Sequence, residues 1–363
     1  MDSREKRVVL FGPWPPPYGG VASHMQDLAH NLAGRSVQTR LLCYGEFRAM
    51  RHVRRISVVR PGWWRSLLKV YLTLSPQAIL HDHSGMVPNP DEGLLRSLWS
   101  AGRRRGARWI LTLHDGTLPG RFTEWPRAMR DTCARFLRCP EHVICVGGRL
   151  QAFLEELGIP SGSLSNIPPL LPVAEVPEVA LPPTVQAFLG GHSPVIATVG
   201  AFHANYDLAA VARAFPRILQ EHPRAGLVVV DAGFTDDDAS RRAVLQVLEE
   251  GLTGAYCLLT RVPREHVLQI LRASAVFVRG TRFESFGLSR VEAILLGTPV
   301  VTTEAGETRY MRIYPYGDPA ELAREVLAVL ADRPDLADAQ RFYNTMAEQT
   351  LDRILGVYDR TSR

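Results

Sequence analysis

The sequence predicts an α/β protein made of two doubly wound domains that face each other across a cleft. Short apolar runs rich in β-branched residues alternate with helical patterns along all 363 residues, and such alternation is typical of parallel sheets with right-handed crossovers. The chain is also long for one compact core. We therefore expect an N-terminal domain at 1–167, which the C-terminal helix 345–363 joins, a proline-rich linker at 168–189 and a C-terminal domain at 190–344.

The individual elements follow from hydrophobic periodicity. Strand candidates in the first half cover residues 7–11, 39–43, 56–59, 78–81, 110–114 and 142–146. Those in the second half cover 195–199, 227–230, 256–259, 275–278 and 299–302. Helical patterns between them include 21–32, 207–220, 241–250 and 264–272, and one or two helices over 341–360 close the chain.

The composition excludes several classes of protein. The chain is 46% hydrophobic and 22% charged, as in soluble globular proteins. No window predicts a membrane-spanning helix, and the apolar run at 8–11 is too short for a signal peptide. Five scattered cysteines without a Cys-x-x-Cys pattern fit reduced thiols. These features predict a cytoplasmic protein.

The charge is divided unevenly between the two halves. Residues 1–165 hold 23 Lys+Arg against 13 Asp+Glu, whereas the remainder holds 19 against 24. Basic and aromatic residues are mixed in Arg48–Tyr71, which suits an anionic membrane surface or a lipid-linked acceptor. Peripheral attachment at the inner face of the membrane is therefore a second expectation, and a solvated basic face is its alternative. No nucleic-acid-binding motif accompanies the charge, so no nucleic acid partner is expected.

Two glutamates, Glu284 and Glu292, stand eight positions apart in the segment 283–293. One strand candidate precedes this segment and another follows it, which places both carboxylates at the carboxyl edge of a parallel sheet, where α/β proteins bind ligands. Such a pair suits two hydroxyl-bearing parts of one ligand, such as a sugar and a ribose. A helix expected to open at Ser285 would offer backbone amides to phosphate oxygens. The alternative is a dipole-favoured charge beside a solvated helix residue.

Glycines and histidines mark strand ends in the first half. Gly19 and Gly20 follow the first strand, where a backbone without side chains can approach an anion, although a turn that simply needs glycine is the alternative. His114 ends the fifth strand. Its side chain either faces the cleft as a functional group or is a structural histidine that is hydrogen-bonded within the fold. His81 and His83 align on one strand face, but no third ligand is marked, so no metal is expected.

Together these motifs resemble those of the family 4 retaining glycosyltransferases, which have two Rossmann-like domains in the GT-B fold. The resemblance spans nearly the whole chain. The family pattern E-G/S-F-G-L-x-x-x-E-A matches at 284–293, G-x-P-V-V matches at 297–301, and a glycine-containing turn follows at 304–307. The segment 12–21 looks like the family's N-terminal Gly-Gly loop.

The resemblance implies a nucleotide-sugar donor, retention of anomeric configuration, and no need for a metal or another cofactor. In this reading Glu292 holds the ribose hydroxyls, Glu284 contacts the transferred sugar, and His114 lies near sugar and acceptor. The remaining donor-binding positions implied by the family are the diphosphate-facing backbone groups of Gly19, Gly20, Phe286, Gly287 and Leu288.

The chain departs from the family at one place. After the first strand of the second domain the family usually has G-R-L-x-x-x-K-G, whose arginine and lysine neutralise the diphosphate. Ala201 and Tyr206 occupy those two positions here, and no lysine follows position 69. We expect Arg279 or Arg282 to supply the missing charge, with His203 or Tyr206 as a hydrogen-bond donor.

This departure keeps a second class of protein open. A non-catalytic GT-B partner or regulator would keep the fold and lose the cationic site. The two intact glutamates and the Gly-Gly loop oppose that reading. A third reading is another nucleotide-sugar enzyme of the same fold, such as an epimerase or an inverting transferase, and the spacing of Glu284 and Glu292 opposes it.

Overall fold

The computed structural model describes residues 6–15, 19–35, 37–44, 54–57, 78–83, 100, 103–104, 106–171, 178–233 and 237–362. The chain forms two compact units. The first comprises Met1–Pro16, Val21–Leu170 and Glu348–Arg363. The second comprises Pro17–Gly20 and Leu171–Ala347.

The first unit contains a parallel sheet of seven strands. Its strands are β1 (Lys6–Pro13), β2 (Val37–Tyr44), β3 (Arg54–Ser57), β4 (Ile79–Asp82), β5 (Arg108–Leu113), β6 (His142–Cys145) and β7 (Leu164–Asn166). Their spatial order is β3-β2-β1-β4-β5-β6-β7. The order reverses between β1 and β4, so the loops that follow these two strands open at the switch point, where such sheets bind ligands.

Helices complete the first unit, and the sheet carries apolar side chains on both of its faces. The helices are α1 (Gly20–Ala33), α2 (Leu118–Glu124), α3 (Arg127–Leu137) and α4 (Gly148–Glu156), with a 3₁₀ turn at Ser161–Ser163. Successive residues of β1 point to opposite faces: Val8 and Leu10 belong to one apolar cluster, and Val9 and Phe11 to another. Strands covered on both faces explain the continuous apolar runs in the sequence.

The second unit repeats the plan with six parallel strands. They are β8 (Val195–Gly200), β9 (Gly226–Asp231), β10 (Tyr256–Thr260), β11 (Val276–Arg279), β12 (Val300–Thr302) and β13 (Arg312–Ile313). The order is β10-β9-β8-β11-β12-β13, with its switch point between β8 and β11. The helices are α5 (Pro183–Gly191), α6 (Leu208–Glu221), α7 (Asp238–Gly251), α8 (Arg264–Ala273), α9 (Leu288–Leu295) and α10 (Pro319–Ala331).

One continuous helix, α11 (Ala337–Thr361), closes the chain. The part of α11 up to Ala347 belongs to the second unit, and the part from Glu348 onward belongs to the first. Tyr343 is buried in an apolar cluster of the second unit, and Tyr358 is buried in one of the first. The sequence left one or two helices open at 341–360, and the structure has one.

Several elements differ from the sequence expectation. The short strands β7 and β13 were not predicted, because three and two residues carry too little periodicity to be recognised. Helix α5 begins at Pro183, inside the stretch predicted as linker. The segment predicted at Arg48–Tyr71 lies outside the described residues except for Arg54–Ser57. No helix in the described ranges has the length and apolar character that crossing a membrane requires.

Candidate active site

Glu284 lies in the loop between β11 and α9 and is held by the last residue of β11. Its Oε2 accepts a hydrogen bond from Nη2 of Arg279 at 3.0 Å. The same guanidinium donates through Nη1 to the carbonyl oxygen of Val199 at 2.6 Å and lies 5.0 Å from the ring centroid of Tyr206. Burial alone would lower the pKa of Arg279, but Glu284 and Tyr206 outweigh it and raise that pKa. Arg279 therefore fixes Glu284 beside the two central strands of the sheet.

Arg282 is placed differently from Arg279. It is exposed, and its guanidinium carbon lies 5.5 Å from the ring centroid of Phe283. The structure thus brings Arg279 to Glu284 as an ion pair and leaves Arg282 at the surface. The assignment of the missing diphosphate charge to either residue stays a prediction.

Asn205 joins the turn after β8 to the loop that carries Glu284, and the sequence analysis missed it. Its Nδ2 donates to the carbonyl of Phe283 at 3.0 Å, and its Oδ1 accepts from the amide of Phe283 at 2.9 Å. The backbone N–H of Asn205 donates to Nδ1 of the exposed His203 at 3.0 Å. A carboxamide can pair with a backbone in this two-way manner, and asparagine in a turn was the available sequence signal.

Tyr206 packs against the end of β8. A Cβ atom at Gly200 would lie 3.2 Å from Cδ1 of Tyr206, so glycine lets the ring approach the backbone. Burial raises the pKa of Tyr206, and the nearby Arg279 opposes that rise. Tyr206 is therefore a neutral hydroxyl at neutral pH, at the position where the family usually has a lysine.

The helix N-terminus beside Glu284 begins at Leu288, three residues later than expected. Gly287 is its N-cap with φ of 87°, a left-handed conformation that favours glycine. Phe286, just before the cap, is buried, and its carbonyl accepts from the amide of Glu307 at 2.9 Å. Phe286, Gly287 and Leu288 therefore form the turn into α9, and their backbone is held against the loop after β12.

Glu292 lies inside α9 and is buried in an ion pair. Its Oε1 accepts from Nε of Arg264 at 3.0 Å and from Nη2 at 2.6 Å. Arg264 is the first residue of α8, and the sequence analysis did not single it out. This pair orients the carboxylate that the family resemblance assigns to the ribose.

Arg290, also on α9, is fully buried. It donates through Nη2 to Oγ1 of Thr281 at 2.7 Å and through Nη1 to the carbonyl of Ala305. Burial lowers the pKa of Arg290 to about 10. The side chain connects the loops that follow β11 and β12 behind the turn into α9.

In the first unit, three imidazoles meet at the carboxyl edge of the sheet. Nδ1 of His83 and Nε2 of His114 are 3.1 Å apart, and Nδ1 of His24 accepts the amide of Leu170 at 3.0 Å. Neighbouring His81 is bonded through its two nitrogens to Tyr358 and Thr112, at 2.7 Å each. Burial first, and then the neighbouring histidines, lowers the pKa values of His83 and His114, so both imidazoles are neutral at pH 7.

Within the part of the chain that the structure describes, this histidine cluster is the candidate site for a metal ion. His24, His83 and His114 each offer one ligand atom, and these atoms lie within 4.8 Å of one another. The sequence analysis had marked no third ligand, and the structure places two more imidazoles beside His83. However, a neutral His24 that accepts the Leu170 amide at Nδ1 carries its proton on Nε2, which opposes coordination there. The expectation of no metal stays a prediction.

Gly19 and Gly20 lie at the start of α1. A Cβ atom built on either would meet no described heavy atom within 4 Å. Neither has the positive φ that other glycines of the chain show. The packing of the described residues therefore does not require glycine at either position, in contrast to Gly200.

The comparisons with known proteins agree with this architecture. The sequence model of Glycosyltransferase Family 4 matches residues 18–174, and that of Glycosyl transferases group 1 matches 193–332. Anabaena HepE (Alr3699), solved in complex with UDP and glucose, superimposes with a TM-score of 0.76 over 97% of this chain and 99% of that one, at 16% identity. The fold is GT-B, as predicted.

Two curated proteins share parts of the sequence. Mannosylfructose-phosphate synthase of Agrobacterium fabrum is 26% identical over 168 residues, which are 44% of this chain and 36% of that protein. D-inositol 3-phosphate glycosyltransferase of Corynebacterium jeikeium is 33% identical over 115 residues, 31% of this chain and 27% of that one. The matches thus span about a third of the relatives' lengths. Together with the family models they confirm the resemblance: the chain belongs to the family 4 glycosyltransferases.

Proposed function

We propose that this protein is a retaining hexosyltransferase that moves a sugar from a nucleotide diphosphate sugar to a hydroxyl acceptor. One observation carries the proposal. A buried carboxylate, Glu292, and a half-buried one, Glu284, each fixed by its own arginine, flank the N-terminus of α9 near the switch point of the second unit. Glu292 would accept ribose hydroxyls and Glu284 a sugar hydroxyl, while the helix N-terminus would meet the diphosphate.

The chemistry of the leaving group supports this assignment. Negative charge builds up on the departing diphosphate, so the enzyme must offer fixed donors and positive charge there. The N-terminus of α9 supplies aligned amide dipoles. We propose that backbone amides and arginines perform this task without a metal. The acceptor hydroxyl would attack the anomeric carbon on the face from which the nucleotide diphosphate leaves, and its proton would pass to the departing diphosphate, so the configuration would be retained.

The donor is best sought among UDP-sugars first. The HepE structure contains UDP and glucose, which motivates this choice. The acceptor is proposed to be a cell-surface polysaccharide, a glycolipid or a metabolite. A lipid-linked acceptor at the membrane would explain the basic and aromatic Arg48–Tyr71, and cosedimentation with anionic but not neutral vesicles at low salt tests that part.

The decisive experiment has two steps. Calorimetric titration with UDP, ADP, GDP and dTDP identifies the base, and incubation of the matching sugar donors with an acceptor panel then measures release of the nucleotide diphosphate. We expect binding and transfer, with NMR showing a retained anomer. Replacement of either glutamate, Glu284→Gln or Glu292→Gln, should weaken turnover at least tenfold. Tight nucleotide binding with neither transfer nor hydrolysis would instead support the non-catalytic partner.

A further inference from the structure

Arg290 is a buried cation that forms no ion pair with any residue that the structure describes. Glu284 and Glu307 are near enough to raise its pKa against the effect of burial, but Glu284 is already paired with Arg279. The Arg290 side chain is 0% exposed. Among the described residues no carboxylate oxygen lies within 4.0 Å of its nitrogens, and its Nε has no hydrogen-bond acceptor. Its two acceptors, the hydroxyl of Thr281 and the carbonyl of Ala305, are neutral. Burial of a charge that has no direct ion-pair partner is costly, so an anion bound beside Arg290 would be stabilising.

The position of Arg290 shows where that anion would bind. Side chains on a helix tilt toward its N-terminus, so a residue in the first turn reaches back over the cap. A Cβ atom at Gly287 would lie 3.0 Å from Cδ, 3.1 Å from Nε and 3.4 Å from Cζ of Arg290. The guanidinium thus lies against the cap of α9.

The neighbouring arginines do not offer such a charge. Arg279 is neutralised by Glu284 at 3.0 Å, and Arg264 by Glu292 at 2.6 Å. Arg282 is exposed, where solvent screens its charge. Arg290 therefore combines burial with the lack of a carboxylate partner in the described part of the site.

We propose that the charge of Arg290 attracts the donor diphosphate to the N-terminus of α9, in place of the arginine and lysine that are absent at Ala201 and Tyr206. The inference rests on the proposed function. The bound diphosphate would be the direct counter-ion of Arg290. Binding of the anion offsets the cost of burying the guanidinium, so the nucleotide and the protein stabilise each other.

The test separates the charge of Arg290 from its packing. Arg290→Gln keeps an amide donor and removes the charge, and Arg290→Lys keeps the charge. Calorimetry measures the affinity of each variant for three ligands. These are inorganic pyrophosphate, whichever of UDP, ADP, GDP and dTDP binds the unaltered protein most tightly, and the nucleoside of that nucleotide. We expect the Gln variant to bind the two anions about ten- to a hundred-fold more weakly, with nucleoside affinity unchanged and the loss partly restored in the Lys variant. Arg324→Gln removes an exposed arginine of α10 and serves as the matched control, with no change in affinity.

Other outcomes overturn the inference. A structural role for Arg290 would lower nucleoside and anion affinity equally, or lower the melting temperature of the ligand-free Gln variant by more than about 5 °C. Unchanged pyrophosphate affinity in a folded Gln variant overturns it too. If the Gln variant does not fold, a folded Lys variant that fails to bind pyrophosphate has the same force. Absence of nucleotide binding by the unaltered protein removes the proposed function itself.

Discussion

Arg279 and Glu284 form an ion pair of 3.0 Å, and their side chains are 12% and 17% exposed. The arginine ends a central strand, and the glutamate lies five residues later in the loop. Because the guanidinium also bonds the Val199 carbonyl at 2.6 Å, the carboxylate is fixed to two neighbouring strands at once. Glu284 is therefore positioned before any ligand arrives.

Loss of Arg279 should uncouple that carboxylate. Arg279→Ala leaves Glu284 partly buried without a cation, and we expect a loss of about 3 kcal/mol in unfolding free energy together with loss of turnover. Arg279→Lys should recover little, since an ammonium cannot make both contacts in the planar geometry of the guanidinium. Denaturant unfolding and steady-state kinetics measure the two effects.

A double-mutant cycle with Glu284→Ala checks this assignment. Coupling below about 0.5 kcal/mol would show that the pair does not act as a unit. Arg282→Ala is the stability control, because its exposed side chain should contribute little to the unfolding free energy.

Gly306 should tolerate no side chain. Its φ is +80°, and a Cβ there would lie 2.9 Å from Cγ of Glu284 and 2.9 Å from the carbonyl oxygen of Phe286. We expect Gly306→Ala to destabilise the protein by about 2–3 kcal/mol and to impair turnover by displacing Glu284. The matched control is Gly317→Ala, where φ is +81° and no heavy atom lies within 4 Å. Equal costs in the two variants, measured by denaturant unfolding, would show that the contact with Glu284 is unimportant.

Gly20 should behave in the opposite way. Its Cβ would enter open space at the start of a helix, so Gly20→Ala should leave stability unchanged or raise it by up to about 1 kcal/mol. If the backbone approaches a diphosphate there, affinity for the nucleotide sugar should nevertheless fall at least tenfold. Calorimetry and thermal unfolding of the same sample measure both, and unchanged affinity would remove the donor-binding role.

His142 should make the protein acid-sensitive. Burial, and to a smaller extent the charge of Arg360, lowers the pKa of His142 to about 4 from an ordinary value near 6.5. The unfolded chain therefore takes up this proton before the folded one. The neutral His142 therefore contributes about 2–3 kcal/mol to the free energy of unfolding above pH 6.5, and this contribution is lost as the pH falls toward 4.

Unfolding curves between pH 8 and pH 4.5 measure this dependence. His142→Asn should flatten the slope and keep a polar partner for Ser165, whose hydroxyl lies 2.9 Å from Nε2 of His142. A slope that is identical in the variant would assign the acid sensitivity to other groups.

Much of this site was predictable because its signals are local. Glu284 and Glu292 lie in one segment between two strand patterns, so periodicity alone placed them at the sheet edge. Their partners followed different rules. Arg279 is five residues from Glu284 and was recognised, whereas Arg264 is 28 residues from Glu292 on another helix and was not.

The parts that escaped prediction depend on tertiary contact. Asn205 and Phe283 are 78 positions apart, and only the neighbouring positions of β8 and β11 bring them together. His24 joins His83 and His114 for the same reason, since helix α1 and the ends of β4 and β5 meet at one sheet edge. In the sequence, Arg290 has the pattern of an ordinary polar helix position, and only the tertiary structure shows that it is buried.

The single helix α11 has a practical consequence for dissecting this protein. Since the boundary between the units falls between Ala347 and Glu348, inside the helix, no cut in a loop yields both halves intact. A fragment ending at Leu170 would lack Leu351, Ile354 and Val357, which complete its apolar cluster. Expressing the N-terminal half alone should therefore give an aggregating product, whereas supplying residues 348–363 as a separate peptide should restore solubility.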